Sequence, residues 1–342
     1  MVAKPSPVTP EPQVSPDLLR HTYRIMLQAR VLEEKLASLY RGGMIKGGVF
    51  LGRGQEALSA SLGVHLRPGD IFAPLIRDQA GRMAFGDTAL DTLRTYLGSQ
   101  LGSMRGRDGN IHRGRPAEGY YAMISHLGAM VPVVVGALMA RRFRGETGLV
   151  GATCIGDGGT STGAFHEGLN AAAVEKVPLV LVVANNQYAY STPRDRQYAC
   201  AKLADKAAGY GVAVHEVDGV DLEKCLDVLG DAVAAARNGE GPQLIVGEVL
   251  RLVGHGEHDD FSYLDPDMKK QAFARDCLQV AEEILQSKGL ATEEECATWR
   301  QEYAQEYDQL AARIMREPTP DPNNETWSAL SQTALLDSHS PA

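Results

Sequence analysis

Apolar residues recur along this chain with two periods, and the changes of period mark its elements. Leu18, Leu19, Met26, Leu32, Leu36 and Leu39 return near helical spacing behind Ser15-Pro16-Asp17, which predicts a long first helix stopping before Gly42-Gly43. Residues 55–66 read as a short helix, Pro68-Gly69-Asp70 as a turn and 71–76 as a buried strand with Arg77 at its end. A stretch rich in glycine and arginine, 98–128, lacks periodicity, and loops of that length inside a compact unit are more often functional than idle. Residues 131–142 then read as a helix. From Leu149 the chain alternates: apolar run LVGATCI, turn GDGG, helix STGAFHEGLNAAAVEK, apolar run VPLVLVVA, then NNQYAYSTP. Further strands are expected at 212–217 and 243–250, a helix at 269–288, and a capping box from Thr292 to Glu295 opening another helix.

Strands alternating with helices predict an α/β fold, a mostly parallel sheet with helices on both faces and helical N- and C-terminal extensions. The expected organisation is a proline-rich disordered arm (1–16), a single α/β domain with its C-terminal helices (17–316) and a tail (317–342) that loses periodicity.

Composition narrows the function. With 44% hydrophobic and 23% charged residues the 342-residue chain can bury a sizeable core, and a formal net charge of −9 argues against nucleic acid as a partner. Five cysteines with no CxxC pair fit reduced thiols and a cytoplasmic location better than a disulfide frame. The first 16 residues carry no apolar run that would make a signal peptide. The longest apolar stretch, 127–140, is too short for a bilayer and is broken by glycines and Pro132, so no membrane association is expected.

The chemistry centres on Gly156-Asp157-Gly158 and on Asn186, 29 positions after Asp157. A helix of about 15 residues travels roughly 22 Å, and a strand of about seven residues returns a similar distance. A right-handed crossover therefore predicts Asp157 and Asn186 side by side at the carboxyl edge of two parallel strands, where open α/β sheets bind ligands. Asp-Gly and Asn-Asn are ordinary turn formers individually. Together they offer hard oxygen ligands suited to Mg²⁺, and the glycines let backbone approach a diphosphate. A nicotinamide fingerprint fits less well, since Gly156-x-Gly158-x-x-Ser161 lacks its third glycine, and no Walker sequence is present.

The segment GDGGTSTGAFHEGLNAAAVEKVPLVLVVANNQYAYSTP resembles the thiamin diphosphate motif of alpha subunits of pyruvate, branched-chain 2-oxo acid and acetoin dehydrogenases, and the resemblance runs from about Leu18 to Met315. It implies a thiamin diphosphate-binding fold, with Mg²⁺ held by the side chains of Asp157 and Asn186 and the carbonyl of Tyr188, and with Gly158 and Gly159 against the diphosphate. Arg77, in PLIRDQAG, matches the family's phosphate-reaching arginine. Ser125 and Leu127, in ISHLGAMVP, match positions that hold the aminopyrimidine through backbone groups. His255, in RLVGHGEHDD, matches the family's active-site histidine, a proton donor or electrostatic stabiliser. His255, His258, Asp259 and Asp260 would alternatively read as a metal cluster, although no closing ligands are evident.

Departures bear on the substrate. Phe50 stands where pyruvate-type members carry histidine, Ile76 where tyrosine is common, and His126 where the branched-chain type tends to have proline. NNxYAxSTP and ISxLGAMVP lean toward the branched-chain type, whereas the glycine and acidic residues after His255 lean toward the acetoin type. Gly256 replaces the serine that animal members phosphorylate. The resemblance further implies a beta subunit that completes an α2β2 heterotetramer and a lipoyl-bearing dihydrolipoyl acyltransferase core as acyl acceptor.

Overall fold

The computed structural model describes residues 14–325. Its centre is a five-stranded sheet of β1 (Ile71–Ala73), β2 (Gly151–Gly156), β3 (Leu179–Asn185), β6 (Ala213–Asp218) and β7 (Gln243–Glu248), ordered β1-β2-β3-β7-β6 with every neighbouring pair parallel. A separate two-stranded hairpin pairs β4 (Tyr188–Ala189) with β5 (Thr192–Pro193). Successive strand residues point to opposite faces, and the two faces feed two apolar clusters. Cys154, Val180, Val182 and Ile245 meet α1 (Pro16–Arg41), α2 (Glu56–His65) and α8 (Leu222–Arg237) on one side. Ile155, Leu181, Val183, Leu244 and Val246 meet α5 (Met130–Phe143) and α6 (Gly163–Glu175) on the other. All seven residues of β3 are buried, as a strand covered on both faces requires.

The first helix begins as its sequence dictates: the Ser15 hydroxyl accepts from Leu18 N at 3.2 Å, with proline inside the first turn. The capping box is formed, Thr292 Oγ1 accepting from Glu295 N and Glu295 accepting from Thr292 N, and it opens α10 (Glu293–Ile314). The sequence reading did not anticipate four helices: α3 (Gln79–Ala84), α4 (Ala89–Tyr96), α8 and the short α7 (Asp205–Ala208), which lies between β5 and β6.

Two boundaries differ from expectation. The first strand stops at Ala73 rather than residue 76, because Pro74 has no N–H to continue the ladder, so Arg77 stands in the turn before α3. The helix expected over 269–288 is α9 (Cys277–Ser287), preceded by two single 3₁₀ turns; its start is set by Asp276, whose carboxylate accepts from Leu278 N and from Arg30. Residues 1–13 of the expected arm and 326–342 of the expected tail lie outside the described residues. The first part of that tail is packed: Glu317 accepts three bonds from Arg94 and one from Ser99, and Gln100 N donates to Pro318 O at 2.7 Å. Among the described residues no helix is long and apolar enough to cross a membrane.

Candidate active site

The crossover from β2 through α6 to β3 delivers the predicted juxtaposition. Gly156 pairs with Ala184, so the residues that follow both strands emerge together at the sheet's carboxyl edge. There Asn186 Oδ1 stands 3.3 Å from Asp157 Oδ1 and 3.1 Å from the carbonyl oxygen of Tyr188, while its Nδ2 donates to Gln55 Oε1 at 3.3 Å. Adjacent ligands of an octahedral Mg²⁺ are roughly 3.0 Å apart, and these two separations are close to that. Turned over, the Asn186 amide would donate to both oxygens instead.

Local strain aims the third oxygen. Gln187 and Tyr190, neither of them glycine, adopt left-handed φ of 74° and 55° on either side of Tyr188. Gln187 is secured by donating to Asn185 O at 2.8 Å and to Glu248 at 3.0 Å. Arg251, buried at 2% exposure, donates to Tyr188 O at 3.2 Å, to Tyr190 O at 3.0 Å and to Tyr263 Oη at 2.6 Å.

Asp157 is 1% exposed, and its bonded partners are the Gly158 N–H at 3.0 Å and the Gln197 amide at 3.2 Å, both neutral. Burial pushes its carboxyl up to about 6. A Cβ on Gly158 would come within 2.5 Å of Ala189 Cβ, so glycine is required there by the neighbouring hairpin. Residues 157–161 form a 3₁₀ turn, and α6 begins only after Thr162, whose hydroxyl caps Phe165 N. Gly158 and Gly159 therefore lie ahead of the helix rather than in its first turn.

All nine residues singled out from sequence line one cavity: Arg77, Ser125, Leu127, Asp157, Gly158, Gly159, Asn186, Tyr188 and His255. Ser125 comes from the long irregular loop, its hydroxyl 3.0 Å from His112 Nε2, whose Nδ1 lies 2.8 Å from Asp108. Arg77 donates to Leu51 O at 2.8 Å and to His255 O at 2.6 Å, and its Nη2 lies 3.3 Å from His255 Nδ1. Guanidinium has no acceptor, so that last contact makes Nδ1 the acceptor and puts the imidazole proton on Nε2. Burial, then the charges of Arg77 and Arg251, pull His255 down to about 4, leaving it neutral at physiological pH. Its ring sits between Tyr190, at 4.4 Å between centroids, and the edge of Phe50, at 5.3 Å.

His258 is not drawn into a metal cluster: Asp259 is spent on the His255 N–H and the Tyr263 hydroxyl, and among the described residues no group of three His, Cys, Asp or Glu side chains is placed to hold a metal. The sequence reading gave no role to Arg251, Gln55, Gln197 or Tyr263. Arg251 lay inside a quoted motif and Gln55 at the start of an expected helix, but their value as orienting groups depends on contacts more than 60 positions away.

Carboxylate, amide and carbonyl oxygens and two guanidiniums, Arg77 and Arg251, line one cavity at the carboxyl edge of a parallel sheet in this α/β protein. A family profile described as dehydrogenase E1 component matches residues 23–323, and the chain belongs to that family. It is an oxidoreductase component of the alpha-subunit type. It is 33% identical over 309 residues to the alpha subunit of acetoin:2,6-dichlorophenolindophenol oxidoreductase of Cupriavidus necator, covering 90% of this chain and 92% of the relative. It is 33% identical over 310 residues to the 2-oxoisovalerate dehydrogenase alpha subunit of Bacillus subtilis, covering 90% and 91%. To the pyruvate dehydrogenase E1 component alpha subunit of Rhizobium meliloti it is 30% identical over 300 residues, covering 87% and 86%.

Proposed function

We propose that this chain binds thiamin diphosphate and Mg²⁺ and, with a beta subunit in an α2β2 heterotetramer, catalyses oxidative decarboxylation of a 2-oxo acid, branched-chain or pyruvate, passing the acyl group to lipoyl arms of an acyltransferase core. The observation that carries the reading is the convergence of Asp157, Asn186 and the Tyr188 carbonyl, with Arg77 and His255 lining the same cavity. Residues 17–316 would act as one cofactor-binding unit. The cysteines among the described residues are all free, which supports a reducing, cytoplasmic setting.

In this reading Asp157, Asn186 and Tyr188 hold the metal. Gly158 and Gly159 let the diphosphate lie against backbone, and Arg77 balances its charge. Ser125 and Leu127 contribute backbone groups to the aminopyrimidine. When bound, thiamin diphosphate supplies the centre that adds to the 2-oxo carbonyl and holds the electrons left by departing CO₂. His255 enters neutral with its proton on Nε2, suited to donate toward the developing oxyanion, while contacts with Tyr190 and Phe50 restrict its rotation.

A second reading, acetoin cleavage, is favoured by the equal 33% identity to an acetoin and a 2-oxoisovalerate relative. Artificial-acceptor reduction by the chain co-purified with its partner, supplied with thiamin diphosphate and Mg²⁺, separates the two. Turnover of a 2-oxo acid supports the first reading, turnover of acetoin alone the second, and no turnover with either overturns both. The isolated chain is expected to be inactive.

A further inference from the structure

The Leu51–Gly52 peptide is gripped from both ends. Its carbonyl accepts from Arg77 Nη1 at 2.8 Å, and its N–H donates to Glu33, 2.8 Å from Oε1 and 3.0 Å from Oε2. Glu33 lies on α1, is 4% exposed, and neither lines the cavity nor belongs to any motif that identified the site. The packing is close on a second side: a Cβ added to Gly52 would fall 2.0 Å from the carbonyl oxygen of Arg77 and 3.3 Å from Glu33 Oε1.

One planar, polarised peptide therefore separates a buried carboxyl from the guanidinium that faces the ligand. A carboxyl accepting the N–H strengthens the opposite C=O as an acceptor, since both belong to one resonant unit. The Arg77 side chain is thereby bound at Nη1, while Nη2 bridges to His255. Among the described residues, Arg77 is the one side chain that bonds the Leu51 carbonyl.

We propose that Glu33 is a positioning residue for the cofactor site, holding Arg77 in its ligand-facing pose through the Leu51–Gly52 peptide. The proposal rests on the thiamin diphosphate reading of the cavity. Its reach is specific: loss of the Glu33 contact should cost affinity for the anionic part of the ligand, and only while Arg77 is present to be misplaced.

The test uses the full chain co-purified with its partner subunit, at fixed Mg²⁺. Two probes are titrated, thiamin diphosphate by fluorescence quenching and inorganic diphosphate as its competitor, in wild type, Glu33→Asp, Glu33→Gln, Arg77→Ala and the double variant Glu33→Asp/Arg77→Ala. Glu33→Asp, one methylene short, is expected to weaken both probes about tenfold in the wild-type background and not at all beyond Arg77→Ala in the double variant. Glu33→Gln keeps an acceptor oxygen for Gly52 and should bind both within about threefold of wild type. Equal loss in both backgrounds, unchanged binding in Glu33→Asp, or a tenfold loss in Glu33→Gln would overturn the proposal. If Glu33→Asp does not fold, Glu33→Leu, alone and beside Arg77→Ala, takes its place with the same expected losses. Wild type that binds neither probe defeats the thiamin reading, whereas wild type that binds both beside a Glu33→Asp that binds equally defeats only this inference.

Discussion

Arg251 donates to the carbonyl of Tyr188 at 3.2 Å, and that same carbonyl faces the Asn186 amide oxygen at 3.1 Å. A buried cation thus orients one of three candidate metal ligands from behind. Arg251→Lys removes the fork that spans Tyr188, Tyr190 and Tyr263, and groups that orient metal ligands are typically worth 10- to 100-fold in affinity. The expected outcome is a fall in Mg²⁺ affinity of about tenfold or more, read by titrating Mg²⁺ at saturating thiamin diphosphate; unchanged affinity would remove Arg251 from the site.

Asp157 is buried beside neutral partners, and a carboxylate so placed carries a desolvation cost. Asp157→Asn is expected to abolish thiamin diphosphate binding while leaving the melting temperature of the cofactor-free chain unchanged or higher. Calorimetry without cofactor, beside a binding titration, checks both halves. A large drop in melting temperature would mean that the carboxylate is structural.

His255 is held down to about 4, from an ordinary value of 6.5, by burial first and then by Arg77 and Arg251. A depressed folded value contributes stability that is present above about 6.5 and lost as pH falls toward 4. In imidazole NMR spectra, the resonance missing from His255→Gln should not titrate between pH 8 and 5. A midpoint near 6.5 would show that neither burial nor the two guanidiniums depress it.

Glu33 is raised to about 8, by burial first and then by Glu56 on α2, against the opposing Gly52 N–H, Arg30 and Arg82; Arg77 and Tyr96 also face it. A raised folded value gives stability that is full below about 4.5 and lost as pH rises through about 8. The melting temperature is expected to fall between pH 7 and 9, and Glu33→Gln should flatten that slope. A slope identical in both proteins would place the titrating group elsewhere.

At Gly52 the backbone leaves no room for a side chain, the nearest obstacle being the fixed carbonyl of Arg77 rather than a flexible tip. Gly52→Ala should cost about 1–3 kcal/mol by overpacking and should weaken thiamin diphosphate binding as well. Denaturant unfolding and a cofactor titration test the two effects. Retained binding at full stability would mean that the turn relaxes freely.

The parallel core was legible because β2, α6 and β3 carry their periods openly, and because helix rise and strand rise cancel over the interval from Asp157 to Asn186. Ser125 and His255 were legible only through resemblance, since their own neighbourhoods read as loops, and Arg77 read by itself only as a cation at a strand's end. The short α3 and α4 stayed hidden because their buried faces include polar residues, Gln79, Arg82, Thr92 and Thr95, which blur an apolar stripe. Glu33 and Arg251 were invisible as orienting groups for a related reason: each acts on a main-chain atom, and a backbone amide or carbonyl leaves no letter in a sequence.

The contact between Ser99 and Glu317 joins positions 218 residues apart, and the same glutamate grips Arg94. That clasp secures the start of the loop which later supplies Asn110 and Ser125 to the cavity. At about 5–20 residues per second, a ribosome reaches Glu317 roughly 10 to 40 s after Ser99. All five strands of the sheet are therefore synthesised while the mouth of the cleft still waits for its fastener, a segment made about 70 residues after the last strand.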